Sequence, residues 1–296
     1  MESLFDHKDP FKRAVSPTTE MAAYEALWVK DGMTFKKIAD AFKQNPDMLP
    51  SELVSPSEIH EALEKIKSEV DGSIRHNFGV RVNGTFEYPK KLRDAKNPLE
   101  VFYYQGDWDL IFSPSIAIVG ARKVSEEGAR RTRKLVKSLV GDGYTIVSGL
   151  AEGVDTIAHE TAIAFGGKTI AVIGTPLDQV YPKKNSELQR EIAKNHLLIS
   201  QVPFLKYKKQ DYRINRGFFP ERNITMSAIS MATVIIEASD TSGTLYQARA
   251  AIAQDRKLFI LDSCFKNQRI SWPQRFEKKG AIRVVSYQDI KDSLPE

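Results

Sequence analysis

From Ser115 onward the chain alternates short apolar runs with polar, helix-forming stretches. This rhythm constrains its fold more than any other feature. Ile116–Val119, Thr145–Ser148, Thr169–Ile173, Leu197–Ser200, Thr233–Glu237, Leu258–Leu261 and Ile282–Val285 read as strands. Glu126–Val140, Thr156–Phe165, Ser186–Lys194, Ile224–Ser230 and Gly243–Gln254 read as the helices between them. Strands that are apolar on both faces, separated by helices, imply an α/β fold with a doubly wound, mostly parallel sheet. Ligands of such sheets sit outside the carboxyl ends of the strands.

Glycine-marked turns recur at those ends. Ser115–Gly128 runs from an apolar strand through Gly120 into a helix start, and Ser125 lies at that start. A helix N-terminus offers unpaired N–H groups and a partial positive charge to phosphate. A dinucleotide fingerprint would place a second glycine two residues after Gly120; this chain has Arg122. A long cation there suits a phosphate reached by a side chain, on a nucleic acid as readily as on a nucleotide. Further turns follow at Ser148-Gly149, at Gly174 and at Ser242-Gly243.

The first hundred residues differ. Helical spacing around Ala22, Leu27 and Trp28, then Phe35, Ile38, Ala39 and Phe42, then Ile59, Leu63, Ile66 and Val70 predicts three short amphipathic helices. We expect a small all-helical N-terminal domain over residues 1–75, a connector over 76–100, and the α/β domain over 101–290. Val101–Tyr104 reads as a further strand.

Composition excludes several classes. Hydrophobic residues make up 42% of the 296-residue chain, enough for a core. No apolar run approaches the roughly 20 residues of a membrane span, and Met1–Lys8 lacks an apolar signal core. The single cysteine, Cys264, excludes an internal disulfide and a cysteine zinc cluster. These features together predict a cytoplasmic protein. The net charge of +5 is mild, so its distribution matters more.

The charge concentrates between Phe204 and Arg222, where Lys206, Lys208, Lys209, Arg213, Arg216 and Arg222 face only Asp211 and Glu221. Phe204, Tyr207, Tyr212, Phe218 and Phe219 are interleaved. Cations that track a backbone beside aromatics that stack on bases suit single-stranded nucleic acid. The alternative is a solvated loop whose aromatics help complete the core. Lys183, after Tyr181-Pro182, is either a surface lysine or a phosphate contact. Asp155 and His159, four apart, share one helix face. They supply two metal ligands without a third, and a cap with a hydrogen-bonded histidine is the simpler assignment. Glu237, ending an apolar strand, suits a nucleotide ribose or a cap for the next turn. The chain has no Gly-x-Ser-x-Gly elbow, His-Glu-x-x-His motif or Walker lysine loop, and its five histidines (His7, His60, His76, His159, His196) are scattered.

Taken in order, these motifs resemble the DprA/Smf family of bacterial DNA-processing proteins, over about residues 88–262. The resemblance rests on Tyr88-Pro89-Lys-Lys-Leu92, Ser115–Gly128, Ser148–His159, Ala171–Asn185, Phe219-Pro-Glu-Arg-Asn223 with Ser230, and Glu237–Leu245. It implies an extended Rossmann-like fold that binds single-stranded DNA as a homodimer, protects it and helps load a RecA-type recombinase, as in natural transformation. No catalytic turnover, cofactor, metal or membrane contact is implied. The family's basic DNA contacts fall on Arg122, Lys183 and Arg216. The matching motifs also carry Gly120, Ser125, Ser148, Gly149, Phe219, Arg222, Asn223, Ser242 and Gly243. The chain departs from the family at Gln201, Ile224, Gln247 and Leu261-Asp262-Ser263, and it ends near the sheet, so no C-terminal winged helix is expected.

The competing expectation is an enzyme of the same superfold. LOG-type phosphoribohydrolases carry Pro-Gly-Gly-x-Gly-Thr-x-x-Glu, and the corresponding stretch here is Ser239-Asp-Thr-Ser-Gly243-Thr244-Leu-Tyr-Gln247. An amide at Gln247 cannot ionise as that glutamate does. A nucleotide-sensing module using the same pocket without turnover is a third expectation.

Overall fold

The computed structural model describes residues 15–294, except 73, 75 and 76. Met1–Lys8, His7 included, and His76 lie outside the described residues.

Three helices come first: α1 (Pro17–Val29), α2 (Phe35–Gln44) and α3 (Pro56–Glu69). Their starts are written in local chemistry. The Ser16 hydroxyl accepts from the Thr19 amide, and Pro17 presets the first helical φ. Thr34 caps α2 in the same way, and Ser55 with Glu58 forms a capping box for α3.

The segment expected to be a connector contains strand β1 (Gly79–Val82), which pairs antiparallel with β2 (Val101–Gly106). Gly79 permits this pairing, because a side chain there would run into the Tyr104 ring. The alternating part follows as β3 (Ser115–Val119), α4 (Glu126–Gly141), β4 (Thr145–Ser148), α5 (Val154–Ala164), β5 (Thr169–Ile173), α6 (Ser186–Asn195) and β6 (Leu197–Ser200). Three helices then run in succession: α7 (Phe204–Lys209), α8 (Tyr212–Asn215) and α9 (Phe218–Ile229). The chain closes with β7 (Ala232–Ile235), α10 (Thr244–Ala253), β8 (Lys257–Leu261), α11 (Asp262–Lys266), α12 (Trp272–Glu277), β9 (Ile282–Val284) and α13 (Tyr287–Lys291).

The described strands form one sheet in the order β1-β2-β6-β5-β4-β3-β7-β8-β9. Neighbours from β6 to β9 are parallel, and β2 pairs antiparallel with β6. The fold is thus the expected α/β, doubly wound and mostly parallel, with a helical N-terminal part. From β3 the chain winds outward to β6, then returns to β7 on the other side of β3. The order reverses between β3 and β7, and a crevice opens at such a switch point.

Alternate residues divide between the two faces. Ala117, Val119, Val147, Ile170, Val172, Ile235 and Ile260 join one core with Met226, Ala248 and Trp272. On the opposite face, Ile116, Ile118, Ile146, Val234 and Phe259 pack on Leu135, Val136 and Leu139 of α4 and on Ala158 and Ala162 of α5. Further along, Tyr103, Ala171, Ile173 and Leu198 pack with Tyr24, Leu27 and Trp28 of α1, Ile38 and Phe42 of α2, and Phe204. The N-terminal helices therefore share a core with the sheet and with the start of α7.

Candidate functional site

The switch-point crevice is a cavity of about 880 Å³. Its lining includes Gly120 and Arg122 after β3, Ser242, Gly243 and Thr244 after β7, and Tyr181, Arg216, Phe219, Arg222 and Asn223. Gly120 is required by space: a Cβ there would lie 2.6 Å from Val154 Cγ2 and 3.0 Å from the Glu237 carbonyl oxygen. Arg122 follows with its side chain exposed at the rim. Gly243 faces open space, with nothing within 4 Å of a Cβ placed on it. Asn223 ties α9 to that turn by donating from Nδ2 to the Gly243 carbonyl at 3.2 Å.

Four residues that the resemblance associates with DNA are engaged by the protein itself: Ser148, Gly149 and Arg222 are buried, and Ser125 is exposed at the start of α4. The Ser125 hydroxyl caps α4, accepting from the Gly128 amide at 3.0 Å, and donates to Glu237 Oε2 at 2.7 Å. Glu237 was expected to serve a ribose or cap the next turn; its carboxylate instead braces the start of α4 through Ser125. The buried Ser148 hydroxyl donates to the Ile118 carbonyl at 2.6 Å, joining β4 to β3. Gly149 leaves room for Arg222, whose guanidinium a Cβ at 149 would overlap. Arg222 Nη1 donates to the carbonyl oxygens of Gly149 at 2.5 Å and Val172 at 2.6 Å. Its Nε donates to Asn223 Oδ1 at 2.9 Å.

The Asp155 carboxylate beneath the cavity accepts from the amides of Gly149 at 3.2 Å and Ala151 at 3.4 Å. Burial pushes its carboxyl up to about 6 against the pull of the Arg222 charge. Burial likewise lowers Arg222 to about 10, with Asp155 opposing, so Arg222 keeps its charge at neutral pH. His159 shares its helix face with Asp155 as expected, but its Nδ1 bonds Thr169 Oγ1 at 2.7 Å within the core. Burial holds that imidazole down at about 3, a neutral, structural histidine.

The basic, aromatic stretch is helical rather than a loop, and it divides. In α7, Phe204 is fully buried, 5.0 Å from the Tyr103 ring, and Lys206 is buried. Lys208 pairs with Asp178 at 3.2 Å and Lys209 with Asp31 at 3.3 Å. Phe218 packs between Phe35 at 5.6 Å and Trp28 at 6.3 Å. The second half opens onto the cavity: Tyr212, 67% exposed, lines it together with Arg216 and the half-buried Phe219. Arg213 is exposed, with its guanidinium over the Tyr212 ring. Lys183 is exposed in the 3₁₀ turn Lys183–Asn185, outside the lining but two residues from Tyr181.

Sequence reasoning missed two rim aromatics. Tyr181 is 49% exposed and lies 5.5 Å from the Phe219 ring, and Tyr246 is 48% exposed on the first turns of α10. The signal was present for both: each follows a glycine-marked turn at a strand end. Gln247 is buried, with Nε2 donating to Thr233 Oγ1 at 3.2 Å. The site therefore combines exposed cations, a ring of aromatic faces and an open helix start, and the lining's carboxylate, Asp155, is engaged by two amides.

Comparison with known proteins agrees with this architecture. Residues 80–295 match the family described as DNA recombination-mediator protein A. The chain is 39% identical to Protein Smf of Synechocystis over 212 residues, covering 70% of this chain and 52% of that protein. It is 34% identical to DNA processing protein DprA of Streptococcus pneumoniae over 203 residues, covering 69% of this chain and 70% of that one. The chain thus spans about half the length of the Synechocystis relative. The crystal structure of the S. pneumoniae protein superposes with a TM-score of 0.74 at 27% identity, covering 95% of this chain and 99% of that one. A Helicobacter pylori DprA, whose structure addresses its single-stranded DNA binding mode, superposes with a TM-score of 0.61 at 29% identity, covering 73% of this chain and 94% of that one. Fold, motifs and relatives converge, and the chain belongs to the DNA recombination-mediator protein A family, the DprA/Smf proteins.

Proposed function

We propose that this chain is a single-stranded DNA-binding recombination mediator. It holds DNA at the switch-point cavity, shields it, and helps a RecA-type recombinase onto it, acting as a cytoplasmic homodimer without chemical turnover or cofactor. One observation carries this reading: exposed Arg122 and Arg216 share a single cavity with Phe219, Tyr181 and Tyr212. Cations meet phosphates and ring faces meet bases, a pairing that tolerates any sequence. Gly120, Asn223, Ser242 and Gly243 shape the wall that DNA approaches, and Lys183 extends the positive rim. Ser148, Gly149 and Arg222 brace that wall, and Ser125 braces the start of α4.

The open Gly243 turn at the start of α10 also suits a nucleotide phosphate, which is the ground for the enzyme or sensor alternative. Gln247 argues against glycosidic hydrolysis, since an amide bonded to Thr233 is no acid or base. The test compares binding of oligothymidylate with hydrolysis of AMP by the purified protein. Tight DNA binding that Arg122→Ala weakens, with no ribose phosphate released, supports the proposal. Hydrolysis with DNA affinity indifferent to Arg122→Ala refutes it.

A further inference from the structure

A second groove lies on the α4 side of the sheet. It is a cavity of about 590 Å³ between α4 and the ends of β8 and β9. Arg130, Arg131 and Lys134 of α4 face Lys266 of α11 across it, and Asp262 is the carboxylate of its lining. The cations point outward for an amphipathic reason: Leu135, Val136 and Leu139 turn the apolar face of α4 into the core, and its acids, Glu126 and Glu127, sit in the first turn.

Internal pairing leaves the groove positive. Arg130 and Arg131 share Glu127 at 2.6 and 2.9 Å, and Lys266 and Arg283 share Asp262 at 2.6 and 2.5 Å. Each carboxylate is thus divided between two cations. Exposed Lys134, in the lining, has no ion-pair partner among the described residues. The groove has no stacking platform like that of the first cavity, because its one ring, Tyr287, is half-buried and donates to Asp142 at 2.7 Å. Without ring faces on which unpaired bases could stack, such cations suit phosphates.

We infer that the α4 groove is a second anion site that grips the phosphodiester backbone of DNA extending from the switch-point cavity. This rests on the cavity being a DNA site. Arg122 and Lys123, both exposed on the loop between β3 and α4, connect the two. Only β7 separates β3 from β8. Their carboxyl ends are therefore roughly 10 Å apart, two strand spacings. At duplex spacing about three phosphates cover that distance. The same phosphates can belong to a continuing single strand or to a flanking duplex arm.

The test uses the full chain and three DNAs: a short oligothymidylate that fills the cavity alone, a long one, and the long one with one end annealed into a duplex. Lys134→Ala/Lys266→Ala removes one cation from each wall, and an unchanged melting temperature confirms the fold. The double variant is expected to bind the short oligomer as the wild type does. On a longer DNA it should lose affinity by about 3- to 10-fold at low salt. The slope of log affinity against log salt should fall by about 1.4, at ~0.7 per cation on a single strand. Loss with the plain long strand assigns the phosphates to single-stranded DNA, and loss only with the annealed form assigns them to duplex. Unchanged affinity and slope on both longer DNAs overturns the inference. Arg122→Ala keeps the two claims apart. If it leaves every DNA unaffected while the double variant still loses the longer ones, the cavity assignment fails and the groove stands.

Discussion

The stretch from Phe204 to Arg222 is basic and aromatic throughout, yet its two halves place their free cations differently. In the first half, Lys208 and Lys209 pair with Asp178 and Asp31, Lys206 is buried, and Phe204 fills the core beside Tyr103. In the second half, Arg213 and Arg216 stay exposed, while Tyr212 and Phe219 line the cavity. The difference comes from what each half meets. The N-terminal helices and the loop after β5 present carboxylates and an apolar face to α7, which lends only Tyr207 to the crevice, while α8 and the start of α9 meet it directly. Glu25 of α1 makes the junction: it accepts from Tyr103 Oη at 2.7 Å and from the amides of Phe204 at 2.8 Å and Leu205 at 3.0 Å, closing the N-terminus of α7. A basic, aromatic run is therefore ambiguous until its neighbours are known.

The comparison breaks most visibly at Phe204. Phe204→Ala empties a fully buried position and should cost about 3–5 kcal/mol of stability, read as a lower urea midpoint. A stability loss under 1 kcal/mol would remove α7 from the structural half.

Glu25 gives the next largest effect, through pH. Burial pushes its carboxyl from 4.5 up to about 7. The folded state therefore holds this proton more tightly than the unfolded chain. Its contribution to stability is complete below about pH 4.5 and disappears as pH rises through 7, by up to ~3 kcal/mol. Glu25→Gln carries a constant cost of its own, since an NH₂ replaces an acceptor, but it should flatten stability between pH 5 and 8. Urea unfolding at both pH values checks this, and an equal slope in variant and wild type would contradict it.

Tyr212→Ala belongs to the exposed half. It should weaken single-stranded DNA binding by roughly 1–3 kcal/mol, the worth of one stacked base, and leave the melting temperature unchanged. Lys209→Ala should have the smallest effect, under about 1 kcal/mol on stability, because its pair with Asp31 is exposed. Melting curves of both variants, beside DNA titrations, separate the two halves.

What the chain disclosed in advance follows the range of the interactions. Strands β3 to β8 were legible because strands buried on both faces are continuous apolar runs, and the first three helices because their apolar residues recur at helical spacing, although the caps Ser16 and Ser55 were not read. Strand β1 was not, since its four residues include Gly79 and Arg81 and are mostly half-buried. The helical state of residues 204–218 was hidden because its partners, Glu25 and Trp28, lie about 180 residues earlier. Within the site, Arg122, Arg216 and Phe219 were found from chemistry and local spacing. The bracing contacts of Arg222 and Ser125 depend on Gly149, Val172 and Glu237, 73, 50 and 112 residues away, which no local pattern reveals.

The central claim is that, among the cations of this stretch, those of the second half meet DNA. Its most direct test is the salt dependence of oligothymidylate binding in two double variants, Arg213→Ala/Arg216→Ala and Lys208→Ala/Lys209→Ala. The account predicts that the arginine pair lowers the slope by about 1.4 and weakens binding, while the lysine pair leaves the slope within error of the wild type. Equal losses in the two variants, or a loss confined to the lysine pair, would contradict it.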